Sequence, residues 1–186
     1  MTNVNQSEQD AISQMLEKAP LLKFSAYTHL QSEALQRKGQ NICALLDSVL
    51  EDDSPIAWQN VQEVYDEFWF WVLGAYEVFR TMSDTKTGAK RCFSEEFLKK
   101  VVTTKKTLHP LRIAFAKQEI ANSYQTIIYG EASIKTLDRS KRDLHFEVRN
   151  KMYSVKKLIG QVSEVLRCCT IDEVLASLRS PPPAPA

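Results

Sequence analysis

The chain has little cysteine, histidine or glycine, and these shortages exclude several classes of site. Its 186 residues include four cysteines and three histidines, and neither set has the spacing of a zinc or redox motif. The five glycines are scattered, so no Gly-rich phosphate loop is present, and no serine lies in a Gly-x-Ser-x-Gly elbow. We therefore expect no metal and no cofactor.

Long apolar runs and targeting signals are absent as well. The longest apolar run, residues 68–75, is far shorter than the ~20 residues that a helix needs to cross a bilayer. The first ten residues lack the basic-then-apolar pattern of a secretory signal. We therefore predict a cytoplasmic protein with no membrane contact.

What the chain does contain is enough apolar sequence for one folded domain. Hydrophobic residues make up 44% and the net charge is only +1, which argues against disorder. All three tryptophans fall in residues 58–82, where apolar positions recur along one broad helical face, so this segment is the predicted central helix. We expect residues 7–179 to form one mainly α-helical bundle, with a flexible segment at 1–6 and a disordered Pro-rich tail at 180–186.

Other segments predict further helices and a small sheet. The apolar period favours a long helix over residues 24–50, weakened at Gly39, and Pro110 marks a kink or a boundary between two helices. Strict alternation of apolar and polar residues over 144–149 is typical of a half-buried strand. With shorter candidate strands at 124–129 and 132–137, we expect an antiparallel β-hairpin or three-stranded sheet near residues 124–149, followed by a helix from Ser154.

Charge is divided unevenly along the chain. Residues 1–85 carry 5 Lys/Arg against 13 Asp/Glu, whereas residues 86–157 carry 17 against 7. Such a division indicates either an acidic partner for the basic segment or packing of the two segments on each other.

The basic segment is the main functional candidate, and two of its lysines suggest an anion site. Lys156 and Lys157 follow Ser154 in the first turn of a predicted helix, where they oppose the helix dipole unless an anion binds the free N–H groups. A phosphate-bearing ligand near these residues would explain them, and a solvated basic face is the alternative. The predicted nucleic-acid- or anion-binding residues are Lys105, Lys106, Arg139, Lys141, Arg142, Arg149, Lys151, Lys156 and Lys157.

One short motif allows a catalytic interpretation. The pair Arg139-x5-His145 resembles the Arg-x(4–6)-His motif of the HEPN ribonucleases, which are small helical bundles. The resemblance implies metal-independent cleavage of RNA with Arg139 and His145 in the site, His145 acting as general acid or base. The family motif lies on a helix, whereas His145 falls in the strand-like segment described above.

The central helix offers a candidate interface. Phe70 and Leu73 fall among its polar positions, with Gly74 beside them, so another surface is expected to cover them. A second helix of the same chain, a partner subunit or another copy could do so.

Taken together, the sequence predicts a non-enzymatic cytosolic binding or regulatory protein. Its basic surface, within residues 99–157, is expected to contact an acidic partner, of which RNA or DNA is one candidate. The alternatives are a small HEPN-like ribonuclease and a helical subunit of a complex, either a homo-oligomer or a protein joined through the central helix.

Overall fold

The computed structural model describes residues 3–51, 55–117 and 134–177, and it confirms a mainly helical fold with a small antiparallel sheet. Two 3-10 turns, at Ala89–Cys92 and Ile171–Glu173, complete the described elements. No helix in these three ranges has both the length and the apolar character needed to cross a bilayer. The helices are α1 (Asn3–Lys18), α2 (Leu21–Phe24), α3 (Ala26–Val49), α4 (Trp58–Met82), α5 (Glu95–Lys117) and α6 (Val155–Arg167).

Helix α3 begins at a capped end and continues through its glycine. The Ser25 side chain accepts a hydrogen bond from the Thr28 N–H at 3.3 Å, which satisfies one free donor of the first turn. Gly39 lies where helices pack closely, because a Cβ there would come within 2.7 Å of Ile159 and 3.2 Å of Trp71. The absence of a side chain at Gly39 therefore lets α3 pack closely on α4 and α6, and Gly39 does not interrupt α3.

Helix α4 is the centre of the bundle and packs against α3 on one side and α5 on the other. The Trp71 indole donates a hydrogen bond to the Leu35 carbonyl at 3.0 Å, so its one polar atom is satisfied inside the core. The predicted apolar face is confirmed in its main members, and the buried residues of α4 are Val61, Val64, Phe68, Trp71, Val72, Ala75, Val78, Phe79 and Met82.

Pro110 does not divide α5 into two helices. The helix runs from Glu95 to Lys117 without a break, so the predicted boundary is wrong. Leu108 and Leu111, on either side of the proline, are fully buried. Pro110 has no N–H group to donate to the helix. The burial of Leu108 and Leu111 holds the helix against the core on both sides of it.

The sheet has three strands in the order β1 (Ile134–Asp138), β2 (Asp143–Val148) and β3 (Lys151–Ser154). The predicted alternation is confirmed in β2, where Leu144, Phe146 and Val148 are buried. The third strand follows β2 through a two-residue turn, so the sheet extends beyond residue 149. The candidate strand at 124–129 and the Pro-rich tail lie outside the described residues, and the predicted domain bounds stay predictions.

An aromatic cluster joins the sheet to the helices. The Phe146 ring of β2 lies 5.2 Å from Phe68 of α4 and 5.7 Å from Phe115 of α5, measured between centroids. Each ring is buried and meets its neighbours in stacked or edge-on geometry, which stabilises such pairs beyond their buried area. The sheet is therefore fixed against the core, and its two turns hold defined positions.

Candidate anion-binding surface

Strand β2 separates the predicted basic residues of the two sheet turns, whereas Lys105 and Lys106 lie on α5. The turn at residues 139–142 precedes the strand, and the turn at 149–150 follows it. A six-residue strand spans about 20 Å, so cations in the two turns cannot bind the same phosphate. The paired register places Ser154, the residue before α6, opposite His145 in the half of β2 nearer the first turn.

In the first turn, the chain's own carboxylate already binds Lys141. The Asp138 carboxylate accepts hydrogen bonds from the Ser140 hydroxyl at 2.7 Å and the Lys141 N–H at 3.1 Å, and the Lys141 ammonium lies 3.2 Å away. The Ser140 hydroxyl, followed by Lys141, lowers the pKa of Asp138 from 3.8 to about 2. Lys141 therefore stabilises a turn.

The start of α6, where the sequence predicted a phosphate, binds a carboxylate of this chain. One oxygen of the buried Asp143 accepts from the N–H groups of Leu144 and Lys156 at 2.8 and 3.1 Å. Its other oxygen accepts from the Ser154 hydroxyl at 2.5 Å, and Ser154 in turn accepts from the Lys157 N–H at 3.0 Å. Asp143 thus supplies the negative charge that the helix dipole favours, which removes the reason to expect an external anion there.

Lys156 also has a partner inside the molecule. Its ammonium lies 2.5 Å from a carboxylate oxygen of Asp47 on α3. This contact joins the basic segment to the acidic one. Packing of the two segments on each other was one of the two explanations of the uneven charge. Two cations at the β1–β2 end of the sheet, Lys141 and Lys156, are therefore paired with carboxylates of the chain, whereas Arg142 and Lys157 form no ion pair with a carboxylate of the described residues.

A groove along the outer face of α5 has the opposite character. Its volume is about 580 Å³, and it lies between α5 and the 3-10 turn at Ala89–Cys92. Four cations line it, and none of them forms an ion pair with a carboxylate of the described residues. Glu95 is the one carboxylate in the lining. We call these four residues the groove cations, namely Lys90, Arg91, Lys99 and Lys106.

Sequence reasoning identified only part of this groove. Lys99 and Lys106 are seven residues apart, so they lie two turns apart on one helical face, and that spacing could have indicated the groove. Lys90 and Arg91 belong to a different element, and no local pattern places them beside α5. The fold itself brings these two residues to the groove.

A second group of cations lies on the flank of α5 that faces α4. The His109 ring is 5.7 Å from the Tyr76 ring, and the Arg112 guanidinium carbon is 5.4 Å from the same Tyr76 centroid. Burial lowers the pKa of His109, and the positive charges of Arg112, Lys105 and Arg149 lower it further. The predicted Lys105 and Arg149 thus both lie near enough to act on His109, and the sequence assigned neither His109 nor Arg112 to a binding site.

The predicted interface on α4 is partly covered by the chain itself. A Cβ at Gly74 would lie 3.3 Å from Leu35 of α3, and Leu73 packs against the core. Phe70 remains 62% exposed beside a cavity of about 240 Å³ between α3 and α4. Of the three predicted interface residues, Phe70 alone presents a large apolar surface.

The ribonuclease-like pair lies on a turn and a strand. Arg139 is in the β1–β2 turn and His145 is on β2, whereas the family motif lies on a helix. The His145 Nε2 atom is 3.8 Å from the Asp143 carboxylate, and its buried Nδ1 has no hydrogen-bond partner among the described residues. His145 is 19% exposed, so this imidazole presents little surface to a substrate.

Comparisons with known proteins give no further guide to this surface. No family model matches the chain, and no match is found among curated proteins or solved structures. Within residues 3–51, 55–117 and 134–177, no three histidine, cysteine or acidic side chains are grouped so that they could hold a metal ion.

Proposed function

We propose that this protein binds the phosphate backbone of a nucleic acid, through the groove cations on α5, and that it is not an enzyme. The observation that supports this is the charge of the groove: four cations without an ion-pair partner among the described residues line it, against one carboxylate. Phosphate contacts of this kind supply most of the sequence-independent affinity of nucleic-acid-binding proteins.

The spacing of the cations suits an extended anionic partner. Lys99 and Lys106 lie about 10 Å apart along the helix axis, and Lys90 and Arg91 flank them from the neighbouring turn. Flexible lysines can follow successive phosphates of a strand, whereas a small anion would contact only one or two of them. The apolar residues of the lining, among them Phe93 and Leu98, are contributed by the two walls of the groove.

The cytoplasm is the compartment that we propose for this activity. All four cysteines are free, and Cys92 and Cys169 are buried. Unpaired thiols are usual where glutathione keeps cysteine reduced.

Salt-dependent binding to a labelled single-stranded oligonucleotide tests the proposal. Replacement of all four groove cations with Gln keeps helix propensity and removes up to four phosphate contacts. We expect wild-type affinity to fall steeply with salt, and the variant to lose about three from the slope of log K against log salt.

The matched control carries four Gln replacements in the acidic half of the chain, again three lysines and one arginine: Lys18, Lys23, Arg37 and Lys38. Both variants have the same net charge, so a general charge effect would weaken them equally. Equal slopes in the two variants, or no binding by the wild type at low salt, would contradict the proposal. Binding of an acidic polypeptide without oligonucleotide binding would indicate a protein partner in place of nucleic acid.

The ribonuclease alternative has its own discriminating experiment. Wild type and His145→Ala are incubated with labelled RNA in the presence of a chelator. On the proposal above, neither protein cleaves the RNA, whereas cleavage by the wild type alone would support the HEPN-like interpretation.

A further inference from the structure

The flank of α5 that faces α4 carries a compact group of cations around one imidazole. Lys105, His109 and Arg112 are spaced at three and four residues, so they follow one another along the same side of the helix. Tyr76 of α4 forms the wall beside them, since its ring lies 5.7 Å from the His109 ring and 5.4 Å from the Arg112 guanidinium carbon. Tyr76 therefore contacts both groups, and its contact with the Arg112 guanidinium has cation–π geometry.

A fourth cation comes from the sheet. Strand β2 packs against α5, with the Phe146 and Phe115 rings 5.7 Å apart, and Arg149, the residue after β2, lies near enough to act on His109. Arg149 and Asn150 form the β2–β3 turn with φ angles of 54° and 58°. Two successive left-handed residues define a type I′ turn, in which Asn, Asp and Gly are preferred. Arginine is an unfavourable residue for the first of these positions, so the Arg149 backbone is strained there.

These like charges repel one another in the free protein. The charges of Arg112, Lys105 and Arg149 all act on His109 and lower its pKa, although burial lowers it most. No carboxylate is among the groups that act on His109, and none of the described residues forms an ion pair with these three cations. A bound anion would replace this repulsion with attraction.

We infer that Lys105, His109, Arg112 and Arg149 form a site for a phosphate dianion, carried by inorganic phosphate or by a terminal phosphomonoester. Two guanidinium groups offer paired N–H donors that match phosphate oxygens, and the lysine adds a third positive charge. Three converging cations suit a dianion better than a phosphodiester, which bears one charge. The site lies on a different flank of α5 from the groove cations and does not require that they bind nucleic acid.

Phosphate binding at this site can be measured through the His109 ring. The chain has three histidines, so proton NMR of their ring signals can follow His109 with His29 and His145 as internal references. Inorganic phosphate is added to the whole protein at constant ionic strength. We expect a saturable shift of the His109 signals and a rise in its pKa, because a bound dianion favours the imidazolium.

Two single variants separate this site from a general charge effect. Arg149→Gln removes one guanidinium from the site, and Arg142→Gln is its match, because Arg142 also has a left-handed backbone (φ 48°) but lies at the other end of β2. We expect about tenfold weaker phosphate binding for Arg149→Gln and no change for Arg142→Gln.

A second pair of ligands distinguishes the source of the phosphate. An oligonucleotide with a 5′-phosphate is compared with the same oligonucleotide carrying a 5′-hydroxyl. A His109 shift with the phosphorylated ligand alone identifies an end-recognising site, and a shift with inorganic phosphate alone identifies a small-anion site. The inference fails if chloride reproduces the phosphate shift, if both arginine variants behave alike, or if the His109 signals do not move.

Discussion

At the scale of single residues, Gly39 shows how a missing side chain can determine helix packing. Its position on α3 faces Ile159 of α6 and Trp71 of α4, and a Cβ would meet the Ile159 methyl at 2.7 Å. That separation is too short for two carbon atoms, so any larger residue would force the helices apart. Helix propensity alone would have favoured alanine here.

We therefore expect Gly39→Ala to lower the free energy of unfolding by about 1–3 kcal/mol. Gly160→Ala is the matched control, because Gly160 lies on α6 and a Cβ there has no neighbour within 4 Å. That change should raise the free energy of unfolding by about 0.5–1 kcal/mol. Urea denaturation measures both, and a stabilised Gly39→Ala would show that the contact relaxes freely.

Arg142 and Arg149, which both have left-handed backbone conformations, give a second prediction at this scale. Asn tolerates positive φ better than Arg does, so Arg142→Asn and Arg149→Asn should each stabilise the fold by up to about 1 kcal/mol. Thermal unfolding of both proteins measures the gain. A loss of stability in either variant would show that the arginine makes a compensating contact.

At the scale of elements, the β1–β2 turn depends on one ionised carboxylate. The pKa of Asp138 falls from 3.8 to about 2 because Ser140 and Lys141 donate hydrogen bonds to its charged form. A lowered folded-state pKa stabilises the protein above the unfolded value, and this contribution is lost as pH falls through the folded value.

We therefore expect Asp138→Asn to be less stable than the wild type near neutral pH. The difference should shrink between about pH 4 and pH 2, where Asp138 becomes protonated in the wild type. Urea unfolding at a series of pH values follows this difference. A difference that stayed constant down to pH 2 would mean that the turn does not depend on the Asp138 charge.

How far the sequence could predict each element depended on how local its signal was. The face of α4 and the alternation in β2 follow from spacing within one segment, and both were predicted. Strand β3 has only four residues, too few to establish a period beside the stronger helix signal at Ser154. The Asp143 carboxylate at the start of α6 comes from eleven residues before Ser154, so inspection of the helix alone could not reveal it.

At the scale of the whole molecule, the charge division is resolved partly inside the protein, and we propose that an external anion meets other cations of the basic half. The contact between Lys156 and Asp47 uses one cation of the basic half to join it to the acidic half. Composition could predict the imbalance but could not assign cations to either role, because that assignment requires the positions of distant residues. Arg149, for example, lies near His109 of α5 only because strand β2 packs against that helix.

The remaining alternative, a helical subunit of a complex, concerns the apolar surface that individual residues of α3 and α4 expose. Phe70 is 62% exposed, and Tyr27 and Leu30 of α3 are 71% and 64% exposed. Burial of such residues between subunits is a common route to association.

Sedimentation velocity over a range of protein concentrations tests this alternative. If the surface joins two copies, the wild type should sediment faster as concentration rises, and Phe70→Ser should stay monomeric. Met152→Ser is the control, since Met152 is also exposed but lies on β3. A wild type that stays monomeric throughout would exclude self-association and leave a different protein as the partner.

Because all three tryptophans lie on α4, the intrinsic fluorescence of the protein reports on this helix. Trp58 at the start of the helix is 67% exposed, whereas Trp71 near its middle is 2% exposed and hydrogen-bonded. A quencher dissolved in water should therefore extinguish the red-shifted part of the emission first and leave a blue-shifted remainder. Loss of that protected remainder would report the opening of the bundle at its centre, with no label attached.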